Sequence, residues 1–310
     1  MSERVSHFEG CLLGVMIGDS LGSRVENASA AMIRHRRRDD RGIHALRPGL
    51  YGSTTEMTLA LAESLAAEPD FDGDDFARRL VARHHEARVY GQGTAAAIAR
   101  LRAGLDWREV GTGHGRGCAG NAAATRSAPI GLMFGHDVER LRWVAEEAAA
   151  VTHTHAFGVE GAVVFALGVA AALSARGDAL EPADFLDAIL TEVHTREYRT
   201  HLETAQSIVQ RSWEPAVVVG RLGNNQTALG SVVTALACFA SHSGSFTEAV
   251  SAAVALGGNA TSIVAMTAAL AGAFHGIEDV PVPWIDALER AQIDAQAMLR
   301  AARALEALAR

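Results

Sequence analysis

The sequence predicts an all-α protein, and three observations support this fold class. Apolar stretches rich in alanine recur along the chain, and alanine has the highest helix propensity of the amino acids. Apolar residues also recur at helical spacing, as at Met57, Leu61 and Leu65. No segment shows a persuasive two-residue alternation of the kind that indicates a strand. We therefore expect a single compact orthogonal bundle of roughly a dozen helices.

Length and composition fit one domain that spans residues 1–310. Of the 310 residues, 49% are hydrophobic, 21% are charged and 5% are aromatic, which is a globular composition with a core of alanine, leucine and valine. No low-complexity linker or internal repeat divides the chain. We expect a core over about residues 8–290 and a C-terminal amphipathic helix over about residues 285–310.

In the N-terminal part, spacing and start signals indicate the helices. The glycines at every fourth position from Gly10 to Gly22 form one helix face, on which another helix can pack closely. The next helix opens at residues 51–56 and runs to about residue 67, with the hydroxyls of residues 53–55 as candidate caps. The basic run Arg34–Arg41 between them is interpreted as a solvated loop.

Further helices follow to the end of the chain, and one of them is expected at the centre of the bundle. Asp137 caps a helix that runs to about Val151. Residues 159–175 are apolar on nearly all sides, which is typical of a buried central helix. Other predicted helices cover about residues 74–85, a segment from Pro182, and residues 196–211, 229–240, 247–256 and 262–275.

Charge and cysteine content bear on partners and compartment. The net charge of −8 argues against a nucleic-acid backbone as the main partner. Cys11, Cys118 and Cys238 form neither a metal-binding spacing nor a disulfide framework, which favours a reducing cytoplasm. Asp19 interrupts the N-terminal apolar run, which therefore does not resemble a secretory signal. The longest apolar run, residues 162–175, is short for a membrane span. We expect a cytoplasmic protein with no nucleic-acid or membrane partner, and its protein partners remain unspecified.

Small polar side chains gather at two helix starts. Ser53 and Thr54 open one helix, whereas Asn259, Thr261 and Ser262 open another after two glycines. A helix N-terminus carries unpaired N–H groups and a partial positive charge, so it attracts anions and oxygen ligands. The alternative is that these side chains are ordinary helix caps.

The segment Gly111–Asn121 has the highest density of glycines in the chain. It lacks the lysine of a P-loop, and no strand precedes it as in a dinucleotide-binding fingerprint. Its backbone N–H groups could cradle a phosphate, and a plain flexible loop is the alternative. Thr152 and His153 fall just before the predicted central helix, where a histidine is more often a packed residue than a catalyst.

Five motifs, in this order, resemble those of the ADP-ribosylglycohydrolase family, which includes the dinitrogenase reductase-activating glycohydrolases. Residues 18–22 with Glu26 are similar to Gly-Asp-Ala-Leu-Gly…Glu, and residues 51–57 occupy the place of Thr-Asp-Asp-Thr. Residues 120–131 resemble Gly-Asn-Gly-Ala-Met-Arg…Ala-Pro-Ile-Gly. Thr152 with His153 matches the Thr-His motif, and residues 257–262 occupy the place of Gly-Gly-Asp-Thr-Asp-Thr. The resemblance covers residues 8 to about 290 and implies the family's fold.

The resemblance also implies a metal site that this chain has altered. In the family, the paired aspartates, their threonines and the N-terminal glutamate hold two Mg²⁺ or Mn²⁺ ions. Here Gly52, Ser53 and Thr54 replace Thr-Asp-Asp, and Asn259, Thr261 and Ser262 replace Asp, Asp and Thr. Hard divalent cations need several anionic oxygens, and of these ligands Glu26 is the carboxylate that remains. We therefore expect no binuclear metal site and no cofactor.

By the same resemblance, a nucleotide pocket is expected. The family usually has serine and an aromatic residue where this chain has Cys118 and Ala119, so stacking area for a base or ribose is lost. The expected ligand is a small nucleotide or an ADP-ribosyl substrate. The residues expected to bind it are Gly117, Cys118, Gly120, Asn121, Arg126, Ser53, Thr54, Asn259, Thr261 and Ser262, together with His153.

Two functions fit these residues, and they belong to different classes. The first is a metal-independent glycohydrolase that cleaves a ribosyl bond in an ADP-ribosyl or NAD-derived nucleotide. Glu26 would stabilise an oxocarbenium-like transition state or activate water, with Asp19 and His153 assisting proton transfer. The second is a catalytically inactive protein that binds ADP-ribose or a related nucleotide. A nucleophilic Cys118 is a third possibility, for which the sequence shows no partner base.

Overall fold

The computed structural model describes residues 3–39, 48–111, 117–177, 179–211, 213–290 and 292–309. In these ranges the regular structure is helical, with two isolated bridges and no strand, so the all-α prediction is confirmed. The α-helices are α1 Glu3–Ser23, α2 Ala30–Asp39, α3 Ser53–Ala67, α4 Gly73–Arg83, α5 Gln92–Arg102, α6 Trp107–Val110, α7 Ala122–Thr125, α8 Ala128–Phe134, α9 Val138–Ala150, α10 Ala156–Ser174, α11 Pro182–Glu192, α12 Arg196–Val209, α13 Pro215–Leu222, α14 Ala228–Ser241, α15 Phe246–Leu256, α16 Ala260–His275, α17 Val282–Asp286 and α18 Ala295–Leu308.

The core is built around α10 and α16. Helix α10 packs against α7, α8, α9, α14 and α16, as expected for a helix that is apolar on nearly all sides. Among the described helices, α10 is the one whose length and composition would allow it to cross a membrane, and 72% of that stretch is buried inside the protein. Burial of this kind is what the core helix of a folded bundle shows.

Helices α1 and α16 lie in direct backbone contact along an antiparallel seam. The face of α1 that carries glycine from Gly10 to Gly22 rests on the main chain of α16, and a Cβ atom at Gly10 would lie 2.5 Å from the Gly272 oxygen. The other α16 oxygens facing this seam belong to Ala268, Val264 and Ala260. The close packing predicted from the glycine spacing is therefore present. It places the C-terminal end of α1 beside the N-terminus of α16.

The C-terminal amphipathic helix predicted over about residues 285–310 is wrong in its bounds. The chain leaves α17 at Asp286 and becomes helical again only at Ala295. Between them, the backbone N–H of Ile293 donates to the Tyr51 hydroxyl at 3.3 Å, and the Asp294 side chain caps α18. Tertiary contacts therefore satisfy the polar backbone and override the local helical pattern.

The loop predicted over Arg34–Arg41 is also wrong for most of its length, because α2 extends to Asp39. The Ser29 hydroxyl accepts a hydrogen bond from the Met32 N–H at 3.2 Å, which supplies a helix start that the charge pattern did not reveal. Residues 40 and 41 of that run, and residues 112–116 of the glycine-dense segment, lie outside the described residues.

Candidate functional site

The Glu26 carboxylate binds the first turn of α16. Its Oε2 accepts hydrogen bonds from the backbone N–H and the hydroxyl of Thr261, at 2.8 and 2.7 Å, and its Oε1 accepts one from the Asn259 amide at 2.9 Å. Asn259 occupies the N-cap position without capping its own helix. The cap comes instead from a carboxylate far away in sequence, and the partial positive charge of the helix N-terminus stabilises that negative group.

Asp19 binds the first turn of α3 in a similar manner. Its Oδ2 accepts from the Gly52 N–H at 2.8 Å, the Thr55 N–H at 3.0 Å and the Thr55 hydroxyl at 2.6 Å. The alternative that the hydroxyls of residues 53–55 cap α3 is wrong, since the N-cap residue is Gly52 and Thr55 donates to Asp19. A Cβ atom at position 52 would lie 2.6 Å from the other Asp19 oxygen, so glycine makes room for this carboxylate.

The second Asp19 oxygen, Oδ1, is buried and has no hydrogen-bond partner among the residues that the structure describes. Burial raises the pKa of Asp19 to about 6, although hydrogen bonds from Thr55 and Gly52 act in the opposite direction. The nearby Glu56 carboxylate adds to this rise. Asp19 is therefore partly protonated just below neutral pH, and it is fully buried.

A chain of amide and hydroxyl groups leads from Glu26 into the interior. The Asn121 amide donates to Asn259 Oδ1 at 2.7 Å and to the Ser231 hydroxyl at 2.9 Å. The Ser262 hydroxyl donates to Asn121 Oδ1 at 3.3 Å. The structure thus brings Glu26, Asn121, Asn259 and Ser262 into one network, although they come from distant parts of the sequence.

The turn before α16 depends on two consecutive glycines. Gly257 and Gly258 have φ angles of +64° and +67°, a region that other residues rarely adopt. The N–H of Gly258 donates to the Ala28 oxygen at 2.9 Å, and the N–H of Asn259 donates to the Asn224 oxygen at 2.7 Å. A side chain at position 258 would collide with Asn224. This geometry holds the loop that carries Glu26 against the start of α16.

Ser53 and Thr54 lie at the first turn of α3, where Ser53 is half-buried and Thr54 is buried. The first turns of α3 and α16 both lie against the C-terminal part of α1, which they contact at Asp19 and Gly22 respectively. Ser53 is more exposed than Thr54 and is therefore the more accessible of these two residues for a ligand.

Arg126, which the motif resemblance placed among the ligand-binding residues, lies inside the protein. Its side chain is fully buried and donates to the Ala148 oxygen and the Thr152 hydroxyl, both at 2.8 Å. The guanidinium also lies over the Phe76 ring, 5.3 Å from its centroid. Burial lowers the pKa of Arg126 to about 9, so the group stays charged at neutral pH. Through Thr152, which also contacts His153 Nδ1, Arg126 is linked to the histidine expected to bind the ligand.

His153 is buried directly beside this arginine and is 1% exposed. Its Nδ1 lies 2.7 Å from the Thr152 hydroxyl, whereas its Nε2 has no partner within the described ranges. Burial, together with the charge of Arg126, lowers the pKa of His153 to about 3. The imidazole is therefore neutral at physiological pH. This argues against the proton-transfer role expected for it, because a general base works best with a pKa near the operating pH.

The segment 117–120 packs onto the start of α10. Gly117 has a φ angle of +76°, and a Cβ atom there would collide with Thr154. The half-buried Cys118 accepts a hydrogen bond at Sγ from the Gly120 N–H at 3.4 Å. On the side-chain face of Gly120, the nearest atoms are Cys118 Sγ and His153 Nε2. Cys118 and His153, which are both expected to bind the ligand, therefore border the same face of Gly120.

The donor set does not fit two divalent cations. The Glu26 oxygens face two N–H groups and one hydroxyl, and the Asn259 nitrogen that faces them cannot ligate a cation. Asp19 Oδ2 likewise accepts three donors. In the described part of the chain, no group of three or more His, Cys, Asp or Glu side chains has a metal-binding arrangement.

Sequence reasoning did not single out two polar contributors. Ser231 lies inside the apolar helix α14 and accepts from Asn121, but an isolated serine in such a helix carries no motif. Tyr90 donates to Glu56 Oε2 at 2.6 Å, and burial raises the pKa of Glu56. Tyr90 is a single tyrosine before Gly91 and belongs to no motif, so the sequence could not predict its contact with Glu56.

Comparisons with known proteins identify the same family that the five ordered motifs resemble. A model of the ADP-ribosylglycohydrolase family matches residues 1–310. An uncharacterised protein of Archaeoglobus fulgidus is 32% identical over 294 residues, which cover 91% of each chain. The ADP-ribosylhydrolase ARH3 of Homo sapiens is 29% identical over 337 residues, covering 92% of this chain and 90% of the relative.

Two further comparisons extend this similarity. The ADP-ribosylarginine hydrolase Tri1 of Pseudomonas putida is 27% identical over 288 residues, covering 90% of this chain and 73% of the relative. A solved structure, described as an ADP-ribosylglycohydrolase-related protein complex, matches with a TM-score of 0.78 at 27% identity and covers 100% of both chains. The resemblance drawn from the motifs is confirmed. The chain belongs to the ADP-ribosylglycohydrolase family of glycosyl-bond hydrolases.

Proposed function

We propose that the protein hydrolyses the bond between a ribosyl group and its substituent in an ADP-ribosyl or NAD-derived nucleotide, without a binuclear metal centre. Family membership supports glycosyl-bond hydrolysis, and the printed names of the ARH3 and Tri1 relatives support ADP-ribosyl substrates. One observation carries the metal-independent part: the half-exposed Glu26 carboxylate is fixed by hydrogen bonds to Asn259 and Thr261.

Cleavage of a ribosyl bond passes through an oxocarbenium-like state that carries positive charge. A carboxylate held in a fixed position stabilises such charge without having to reorganise during the reaction. Glu26 is held by three donors, and a carboxylate has about four lone-pair positions. One position therefore remains for a ribose hydroxyl or an attacking water. Electrostatic stabilisation is the main role we assign to Glu26.

The neutral residues around Glu26 orient it. Asn259 donates to Glu26 and accepts from Asn121. The buried Asn121 therefore fixes the orientation of the Asn259 amide, which in turn fixes the orientation of the Glu26 carboxylate. Asp19 is assigned a similar positioning role for α3, because it is fully buried and bonded to Gly52 and Thr55. His153 is assigned to binding, since a neutral buried imidazole is a poor proton shuttle.

The test is turnover in the presence of a chelator. The parent protein is incubated with ADP-ribosylarginine and with NAD-derived nucleotides, with EDTA and with added Mg²⁺, and product is measured by chromatography. We expect equal turnover in both conditions, and a loss of roughly a hundredfold or more in Glu26→Gln, which removes the charge while preserving the shape. Glu203→Gln, an exposed residue on α12, is the matched control. Turnover that requires Mg²⁺, or that survives in Glu26→Gln, contradicts the proposal.

A second function is favoured by one observation, namely that both oxygens of Glu26 are already engaged as the cap of α16. A carboxylate whose role is to cap a helix fits a protein that binds ADP-ribose or a related nucleotide without cleaving a ribosyl bond. Calorimetric titration with ADP-ribose in chelator distinguishes the two functions. Binding without turnover of any tested substrate supports the binding protein, whereas turnover excludes it.

A further inference from the structure

Cys118 differs from the other two cysteines in its surroundings. It is half-buried, while Cys11 and Cys238 are completely buried and burial raises the pKa of both thiols. Its sulfur lies against the first turn of α5, where a Cβ atom on Gly93 would come within 2.5 Å of Sγ. The N–H of Gly120 donates to Sγ at 3.4 Å. A small oxidant can therefore reach Cys118 but not the other two thiols.

Cys118 Sγ and His153 Nε2 border the same face of Gly120. A Cβ atom built on Gly120 would lie 3.3 Å from Cys118 Sγ, 3.5 Å from His153 Nε2 and 3.9 Å from the Gln226 oxygen, so the approach to Sγ would be tight. Glycine carries only hydrogen on this face, and the space beside Gly120 is therefore not filled by a side chain. An oxygen atom bonded to Sγ can lie over this face and approach the imidazole.

The hydrogen bonds around His153 determine which ring nitrogen carries the proton. Arg126 donates to the Thr152 oxygen, because a guanidinium can only donate. The Thr152 hydroxyl then directs its own proton to His153 Nδ1, which lies 2.7 Å away. The neutral imidazole thus holds its proton on Nε2, which is buried and lacks an acceptor among the described residues. A buried donor without an acceptor is costly, so an oxygen placed beside it is stabilised.

We propose that Cys118 is a peroxide-sensitive modification site, whose sulfenic oxygen occupies the space beside Gly120 and accepts a hydrogen bond from His153 Nε2. The deprotonated sulfur attacks one oxygen of hydrogen peroxide, so an S–O bond forms as the O–O bond breaks. The sulfur loses two electrons and the peroxide is reduced. The departing hydroxide takes up the proton lost from the thiol and leaves as water. A thiol reductant reverses the modification.

The modification bears on ligand binding, and this consequence rests on the proposed function. The segment that carries Cys118 and Gly120 is the one expected to bind the nucleotide. An added oxygen fills the space beside Gly120 and engages the His153 donor. Oxidation and nucleotide binding should therefore exclude each other.

The experiment treats the native full-length protein with hydrogen peroxide, traps sulfenic acid with dimedone, and quantifies each cysteine by peptide mass spectrometry. We expect Cys118 to be labelled at least about tenfold more than Cys11 or Cys238, because the latter are inaccessible. Equal labelling of all three cysteines, or no labelling of Cys118, overturns the proposal. This readout needs no substrate, so it is independent of whether the proposed hydrolysis occurs.

Two glycine variants test the space itself. Gly120→Ala places a methyl group in it, and we expect dimedone labelling of Cys118 to fall by about tenfold, since no room remains for the oxygen. Gly91→Ala is the control, because a Cβ atom there meets nothing within 4 Å; labelling should match that of the parent. Unchanged labelling in Gly120→Ala refutes the proposed position of the oxygen. Labelling that persists in saturating ADP-ribose refutes the exclusion between oxidation and binding, and leaves the modification itself standing.

Discussion

Glu26 and Thr261 are joined by two hydrogen bonds that end on the same carboxylate oxygen, one from the backbone N–H at 2.8 Å and one from the hydroxyl at 2.7 Å. The pair ties the loop after α1 to the first turn of α16. Asp19 and Thr55 form the corresponding pair at the first turn of α3, at 3.0 and 2.6 Å. The carboxylates of Asp19, near the end of α1, and of Glu26, in the loop after it, therefore serve as caps for two other helices.

We predict that Thr261→Val lowers the free energy of unfolding by about 1 kcal/mol, because it removes a hydrogen bond to a charged group at a half-exposed position. Urea denaturation measures this change. Thr247→Val, near the start of α15, is the matched control for replacing a hydroxyl at a helix start. Equal losses in the two variants would show that the contact with Glu26 contributes nothing specific.

We predict that Asn259→Asp destabilises the protein by about 1–3 kcal/mol at neutral pH, since an acceptor then faces the Glu26 carboxylate where an amide now donates at 2.9 Å. The second carboxylate should also create affinity for hard cations. Thermal unfolding with and without Mg²⁺ or Mn²⁺ measures both effects. The melting temperature of the variant should rise with the metal, while that of the parent should not. A comparable rise in the parent contradicts the loss of the metal site.

We predict opposite effects for one substitution made at two glycines. In Gly14→Ala the added methyl group collides with the backbone oxygen of Ala268, and neither helix backbone can retreat without separating α1 from α16. Overpacking of this kind costs about 1–3 kcal/mol or more. In Gly220→Ala, on α13, the methyl group meets nothing within 4 Å, so higher helix propensity should stabilise the protein by about 0.5–1 kcal/mol. Chemical denaturation of both variants checks the sign.

Much of the fold could be predicted from local signals. Periodicity placed most helices, and the spacing from Gly10 to Gly22 showed that α1 packs closely on another helix. The same spacing could not show that the partner is α16, because a repeat describes one face only. The break between Asp286 and Ala295 was also invisible, because it depends on contacts such as that between Ile293 and Tyr51.

The candidate site was predictable only where a motif pointed to it. Motif resemblance grouped Glu26 with Asn259 and Thr261, and the structure joins them by hydrogen bonds. It also placed Arg126 among the ligand-binding residues, whereas the structure holds its guanidinium against Ala148 and Thr152. Burial depends on packing between distant helices, so the sequence could not show that this arginine is internal.

We predict that His153 makes the protein less stable in acid. Burial lowers the pKa of His153 to about 3, below the ordinary value of 6.5, so the folded protein binds fewer protons than the unfolded chain between these pH values. The free energy of unfolding therefore falls as pH falls through this window, by about 2 kcal/mol between pH 6.5 and 5. Asp19 acts in the opposite sense, since its pKa is raised to about 6 and the folded state retains that proton.

The contribution of His153 is isolated by comparing His153→Gln with the parent in urea denaturation at pH 7.5 and pH 5. Because the variant keeps Asp19, its stability should fall less on acidification than that of the parent, or should even rise. His136→Gln removes an exposed imidazole and controls for loss of a histidine as such. If His153→Gln loses as much stability as the parent between the two pH values, the imidazole is not held neutral by burial, and the assignment of its proton to Nε2 fails with it.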